Sequence, residues 1–211
     1  MSLILDGSNG LSDVDGSATT PAIRGTDANT GIFFPAADTI AFSEGGAEVA
    51  RFNSSGNLQT IGTIGVGNAT PSTSGAGITF PTTQSSSSDA NTLDDYEEGT
   101  WTPTIVSGGG TISGTGRYTK VGRIVQFSID AQLGGTRDGN TFIVGGLPFT
   151  NLDWTACSFY CQTFTPEGVQ QASGLVQSTS TNLRVQTFGA DAIGTDFGNG
   201  YANWSGCYAA A

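Results

Sequence analysis

The chain has 211 residues, 32 of them glycine, with only 12% charged side chains, a formal charge of −11 and no histidine. Without an imidazole there is no Ser-His-Asp or Cys-His catalysis, no histidine metal ligand and no proton shuttle of the usual kind near neutral pH. So acidic a chain repels nucleic acid and anionic lipid, and neither is expected as a partner.

Nearly every helix-length window contains Gly or a Ser/Thr cluster, so long helices do not fit. With 12 Phe, 5 Tyr and 3 Trp, the chain also carries too much aromatic surface for a disordered one. The expected fold class is therefore all-β. The opening MSLILDG lacks a basic n-region and is too short in apolar residues for a signal peptide, and no run reaches membrane-spanning length. Asp13-Val14-Asp15-Gly16 is a weak metal signal, and no metal or cofactor is expected. Residues 1–20 form an N-terminal segment of their own.

Residues 21–84 contain a near repeat. Thr20-Pro21 precedes Gly31-Ile32-Phe33-Phe34-Pro35, and Thr70-Pro71 precedes Gly77-Ile78-Thr79-Phe80-Pro81. Between the copies, AF before SEGG and EVARF after it predict a hairpin, with a second turn at Asn53–Asn57. Strands this short have little apolar surface behind them, and a lone hairpin is marginal in water. Association is the physical remedy: copies of the chain would bury Ile32, Phe34, Phe42, Val49, Phe52, Ile61, Ile64 and Ile78 about a shared axis. In that arrangement Phe33 would cover a neighbouring subunit, and Pro35 would end its strand without an unmet donor.

Residues 85–98 (SSSSDANTLDDYEE) read as a polar, acidic linker. Asp94, Asp95, Glu97 and Glu98 have the oxygen donors that calcium takes, but lack the glycine-spaced pattern of an EF-hand loop. Residues 99–211 are patterned as a folded domain. In RIVQFSIDAQL, Val125, Phe127, Ile129, Ala131 and Leu133 alternate with Gln126, Ser128, Asp130 and Gln132. Asp138-Gly139 reads as a hairpin turn, and TFIVGGLPF, CSFYCQTF, GLVQS, NLRVQTF and ANWSGCYA follow as further strands. Short strands with glycine-rich turns predict an antiparallel, jelly-roll-like β-sandwich. Cys157 and Cys161 on one strand would lie about 13 Å apart, too far to bridge. With Cys207 they read as thiols of a protein made in a reducing cytoplasm, and their spacing is not that of a zinc site.

RGTDANTGIFFPAADTIAFSEGGAEVARFNSSGNL resembles the shaft segments of tailed-bacteriophage tail fibres. YEEGTWTPTIV, GRYTKVGRIVQFSIDAQL and GLPFT resemble the C-terminal head domain carried by many of them. The resemblance spans about residues 10–150. It implies a non-enzymatic homotrimer in the virion, more readily on the tail than on the capsid, assembled in the host cytoplasm. Its N-terminal segment would attach to other virion proteins, its β-rich shaft would trimerise, and its head would touch a host-surface receptor, a carbohydrate. Such fibres often end in a self-cleaving chaperone. Nothing after Leu183 looks like one, so shaft and head would have to hold the trimer. Two rival readings are a capsid decoration fibre and a polysaccharide depolymerase. The latter would need a carboxylate pair from Asp130, Asp138, Asp153, Glu167, Asp191 and Asp196.

Sugar rings present apolar C–H faces and many hydroxyls, so exposed aromatics beside amides, carboxylates or guanidinium groups suit them. Trp154, Tyr160, Tyr201, Trp204 and Tyr208 are the aromatic candidates. Arg137, Asp138 and Asn140 join them at the expected hairpin tip, since loops at the end of a sandwich commonly carry function. Trp101, at the domain entrance, reads as structural.

Overall fold

Short apolar runs punctuated by glycine-rich turns give strands throughout, and no α-helix among the described residues. A computed structural model describes residues 4–6, 10–12, 14–84, 86–89, 91–162, 172–187 and 190–211. The chain divides into two units, Met1–Thr83 and Gln84–Ala211. The weak metal signal at Asp13 falls partly outside the described residues, as does the carboxyl of Glu167.

In the first unit β1 (Ile4–Asp6) pairs with β2 (Gly10–Ser12), and β3 (Gly16–Ser17) with β4 (Thr20–Pro21). A five-stranded antiparallel sheet follows in chain order: β5 (Ile23–Arg24), β6 (Gly31–Phe33), β7 (Ile40–Glu44), β8 (Ala47–Phe52) and β9 (Leu58–Thr60). The SEGG hairpin forms between β7 and β8. Glu44 lies opposite Ala47, leaving Gly45 and Gly46 as a two-residue loop at φ +58° and +84°. Both values are in the left-handed region that this tight turn requires. At the next turn Asn53 Oδ1 accepts the backbone N–H groups of Ser55 and Asn57.

Two expectations change here. The repeated segments are not equivalent modules: Gly31–Phe33 is an inner strand of the antiparallel sheet, whereas β11 (Gly77–Thr79) pairs in parallel with β10 (Thr63–Gly65). Sequence similarity over five residues sets strand propensity, but the partner strand is chosen by the surrounding chain. Phe33 is also buried within its own chain, beneath β3 and β4 and opposite the buried Ala41, so it does not wait for a neighbouring subunit.

The second unit is one large curled antiparallel sheet. Its strands are β12 (Tyr96–Trp101), β13 (Thr104–Ser107), β14 (Gly109–Val121), β15 (Ile124–Arg137), β16 (Ile143–Gly145), β17 (Thr155–Cys161), β18 (Ala172–Val176), β19 (Leu183–Thr187), β20 (Ala190–Asp191) and β21 (Gly200–Ala209). They run in the order β12-β14-β15-β21-β17-β18-β19-β16-β13, with β20 beside β19. β17 serves both halves: Ser158–Cys161 pair with β21, and Thr155–Cys157 with β18. The halves enclose a common core, sandwich-like. β15 alternates as its sequence predicts, with Val125, Phe127, Ile129, Ala131 and Leu133 buried. From the opposite half come Val144, Val176, Leu183 and Val185, and Trp101 closes the cluster.

Asp138-Gly139 does not turn a hairpin. β15 pairs with β14 and β21, while β16 pairs with β13 and β19, so this turn carries the chain to the other half. The acidic segment is only partly a linker: β12 begins at Tyr96 and pairs with β14, and Asp95 is buried.

Candidate functional site

The outer face of β14, β15, β21 and β17 is polar because alternate residues of each strand must face water. Residues directly opposite share a face. Asp130, Asn203 and Tyr160 form one row across three strands, and Ser128, Ser205 and Ser158 form the next. Tyr201 stands opposite Gln132, two residues from Asn203, so Tyr160 and Tyr201 are diagonal neighbours with Cα atoms about 7–8 Å apart. They are 60% and 53% exposed, which leaves their rings open to a ligand. Beside them, on the β15 side of β21, Asn203 Nδ2 donates to Asp130 Oδ1 at 3.1 Å. The row of three serines is low beside its neighbours. It forms the floor of an open trough of about 690 Å³, lined also by Arg117, Gln126 and Cys207. The face thus combines two aromatic platforms, an amide–carboxylate pair and a hydroxyl-lined trough.

The remaining sugar-binding candidates are placed elsewhere. Trp204 and Tyr208 are core residues, 1% and 2% exposed, and leave the candidate set. Trp204 alternates inward on β21 and its ring centroid lies 4.8 Å from that of Phe159. Tyr208 donates from its hydroxyl to the Phe149 carbonyl, and burial pushes its phenol up to about 12. Trp154 is exposed, but six residues from Tyr160 along the chain is about 20 Å of strand. Its ring is faced by the Arg184 guanidinium at 5.6 Å, and Arg184 is bonded to Asp191. Arg137 is half-buried over the Phe142 ring and donates to the Gly109 carbonyl, with burial lowering its pKa. Asp138 Oδ1 accepts the Asn140 N–H, and the Asp138 and Asn140 carbonyls accept from Thr195 and Gly194. These three residues tie down a crossover turn.

The residues expected to face a shared axis separate into groups. Ile32 and Phe42 stand in one cross-strand row, which Ile23 extends, and Phe52 stands in the next, between Ile40 and Leu58. Ile23, Ile40 and Leu58 are three neighbours that the sequence reading did not include. Phe34 joins Ile40 and Phe52 around an open hollow of about 610 Å³. This is one apolar face of the five-stranded sheet, and among the described residues Ile23, Ile40, Phe52 and Leu58 are exposed on it. Val49 sits at the register shift between β7 and β8. Ile64 and Ile78 are directly opposite one another on β10 and β11, outside that sheet, and Ile61 is exposed in the turn between β9 and β10.

No group of His, Cys, Asp and Glu among the described residues is arranged to hold a metal ion. The acidic cluster is engaged by its own chain instead: Asp94 accepts the Ser87 N–H, Asp95 pairs with Lys120, Glu97 accepts from the Tyr118 hydroxyl and Glu98 from that of Tyr96. Burial, then the bond to Glu97, pushes the Tyr118 phenol up to about 12. Of the carboxylates weighed for glycoside hydrolysis, Asp191 bonds Arg184 and Asp196 accepts the Ile193 N–H.

Comparison of the chain with protein-family models, curated proteins and solved structures finds no match. Asn203 and the three serines were absent from the sequence-based site. The signal was half there, since Ser128, Asp130 and Gln132 were already assigned to the face opposite the core. What alternation cannot supply is that β21 and β17 lie next to β15.

Proposed function

We propose that this chain is a non-enzymatic fibre protein of a tailed-phage virion, a homotrimer whose second unit presents the outer face of β15, β21 and β17 to a carbohydrate on the host surface. The observation that carries the proposal is that exposed Tyr160 and Tyr201 are diagonal neighbours beside the Asn203–Asp130 hydrogen bond. Tyrosine offers an apolar ring for sugar C–H groups and a hydroxyl for their oxygens. Three linked copies raise a weak single-site affinity by roughly 10²–10⁴ through avidity. The unpartnered apolar face of the first unit supports self-association, and the acidic surface keeps such an assembly soluble.

The test is binding of the full chain to host cells and to their purified surface polysaccharide. Tyr160→Ala and Tyr201→Ala each weaken binding by about tenfold or more. Their melting temperatures stay unchanged, because both side chains are exposed. Equal binding by the double variant sinks the assignment of this face. Antibody fragments against residues 99–211, imaged on virions, distinguish a tail fibre from a capsid decoration protein.

A further inference from the structure

Lys120 is the only lysine of the chain, and it is buried together with Asp95, each 5% exposed. The two side chains pair directly, Asp95 from the residue just before β12 and Lys120 from β14. A desolvated ion pair is an expensive way to join two strands, since each charge loses its hydration. The surroundings are aromatic: the Phe149 ring centroid is 5.3 Å from Lys120 Nζ, and the Tyr118 ring stands edge-on to Phe149 at 5.4 Å. A third ionisable group belongs to the cluster. Glu97 lies directly opposite Lys120 in register, on the same face, and the Tyr118 hydroxyl holds its carboxylate.

We propose that Lys120 and Asp95 close an intramolecular isopeptide bond, with Glu97 carrying the proton. The lysine ammonium and the aspartate carboxylate become one amide and one water. The Nζ–Cγ bond forms, one Cγ–O bond breaks, and the departing oxygen takes two of the three ammonium protons; no oxidant or cofactor enters. The first proton passes within the pair, from the ammonium to the carboxylate it touches, which leaves an amine free to attack. Glu97 accepts the second from the attacking nitrogen and delivers it to the leaving oxygen, as a general base and then a general acid. Fixing nucleophile and electrophile in contact on paired strands supplies the effective concentration that peptides in water lack. The product replaces two buried charges by a neutral amide and ties the residue that leads into β12 covalently to β14.

The test is mass spectrometry of the full chain, intact and after tryptic digestion of the denatured protein. The expected result is an intact mass lower than the sequence mass by one water. Trypsin then fails to cut after Lys120, and tandem spectra show residues 118–123 joined through Lys120 to Asp95 of residues 52–117. E97Q, with the pair intact, retains the full mass and is cut after Lys120. Thermal unfolding of E97Q checks that it folds. A wild-type chain of full mass cut after Lys120 overturns the proposal. So does a water loss with Lys120 still cleaved, which would mark dehydration elsewhere. Complete cross-linking in E97Q removes Glu97 from the reaction.

Discussion

Replacing Phe52 by aspartate tests whether the apolar face of the five-stranded sheet joins copies of the chain. Phe52 is 43% exposed in the isolated chain. For a phenylalanine surface of about 200 Å², covering it removes roughly 85 Å² from water, or about 2 kcal/mol at ~25 cal/mol per Å². A three-chain assembly loses three such contributions, about 6 kcal/mol, so its association constant falls on the order of 10⁴-fold. An unpaired carboxylate held against the apolar faces of the other copies adds to the loss. Sedimentation of the full chain over a concentration series reads this directly. Because the side chain projects from its own unit, Phe52→Asp leaves that unit's fold intact, which far-UV circular dichroism checks. Phe33→Ala is the contrast: it removes the largest buried side chain of the first unit's core and costs about 3–5 kcal/mol of folding stability. If Phe52→Asp sediments with the wild-type concentration dependence, this face is not the contact.

Three further outcomes follow from the second unit. Gly116 lies against Trp101 so closely that an added Cβ would stand 2.2 Å from the indole ring; Gly116→Ala therefore displaces the ring and lowers stability by about 1–3 kcal/mol in urea unfolding. The Tyr118 and Tyr208 phenols are held up to about 12 in the folded chain, Tyr118 by burial and Glu97, Tyr208 by burial. Unfolded tyrosine titrates near ~10, so their contribution is complete below pH 10 and is lost as pH rises toward 12, which a fall in denaturant midpoint over that window reads out. Burial pushes the Cys157 thiol up to about 12, while Cys207 is exposed. A maleimide at neutral pH labels Cys207 in the native protein, and Cys157 only after unfolding.

Much of the fold was legible because period-two alternation acts residue by residue. It placed the inner and outer faces of β15, and the turn residues of SEGG placed their hairpin. It could not say which strands become neighbours, and that gap produced the errors. Trp204 and Tyr208 looked like ligand platforms until β21 turned out to lie between β15 and β17, where their side of the strand is the core. Asp138-Gly139 has hairpin chemistry, yet tertiary pairing sends the following chain across the sandwich. The acidic run concealed a buried partner for Lys120, since composition alone cannot tell a solvated carboxylate from one inserted into a sheet. Of the face proposed to bind sugar, the sequence showed Tyr160, Tyr201 and the polar side of β15 as separate features, and only the register joined them.

β21 sets the order in which this unit can be built. It is the last strand in chain order, yet it is hydrogen-bonded between β15 and β17. During synthesis, β12, β14 and β15 can zip together locally, and so can β17, β18 and β19. Until residues 200–209 leave the ribosome, each set keeps an open edge along the strand that β21 will join. Open edges invite pairing with another chain, and identical nascent chains on one message offer the same missing strand. The gap that one chain fills with its own β21 is equally a socket for a sibling's. Exchange of this strand between copies is thus built into the topology as the natural way for the unit to misassemble.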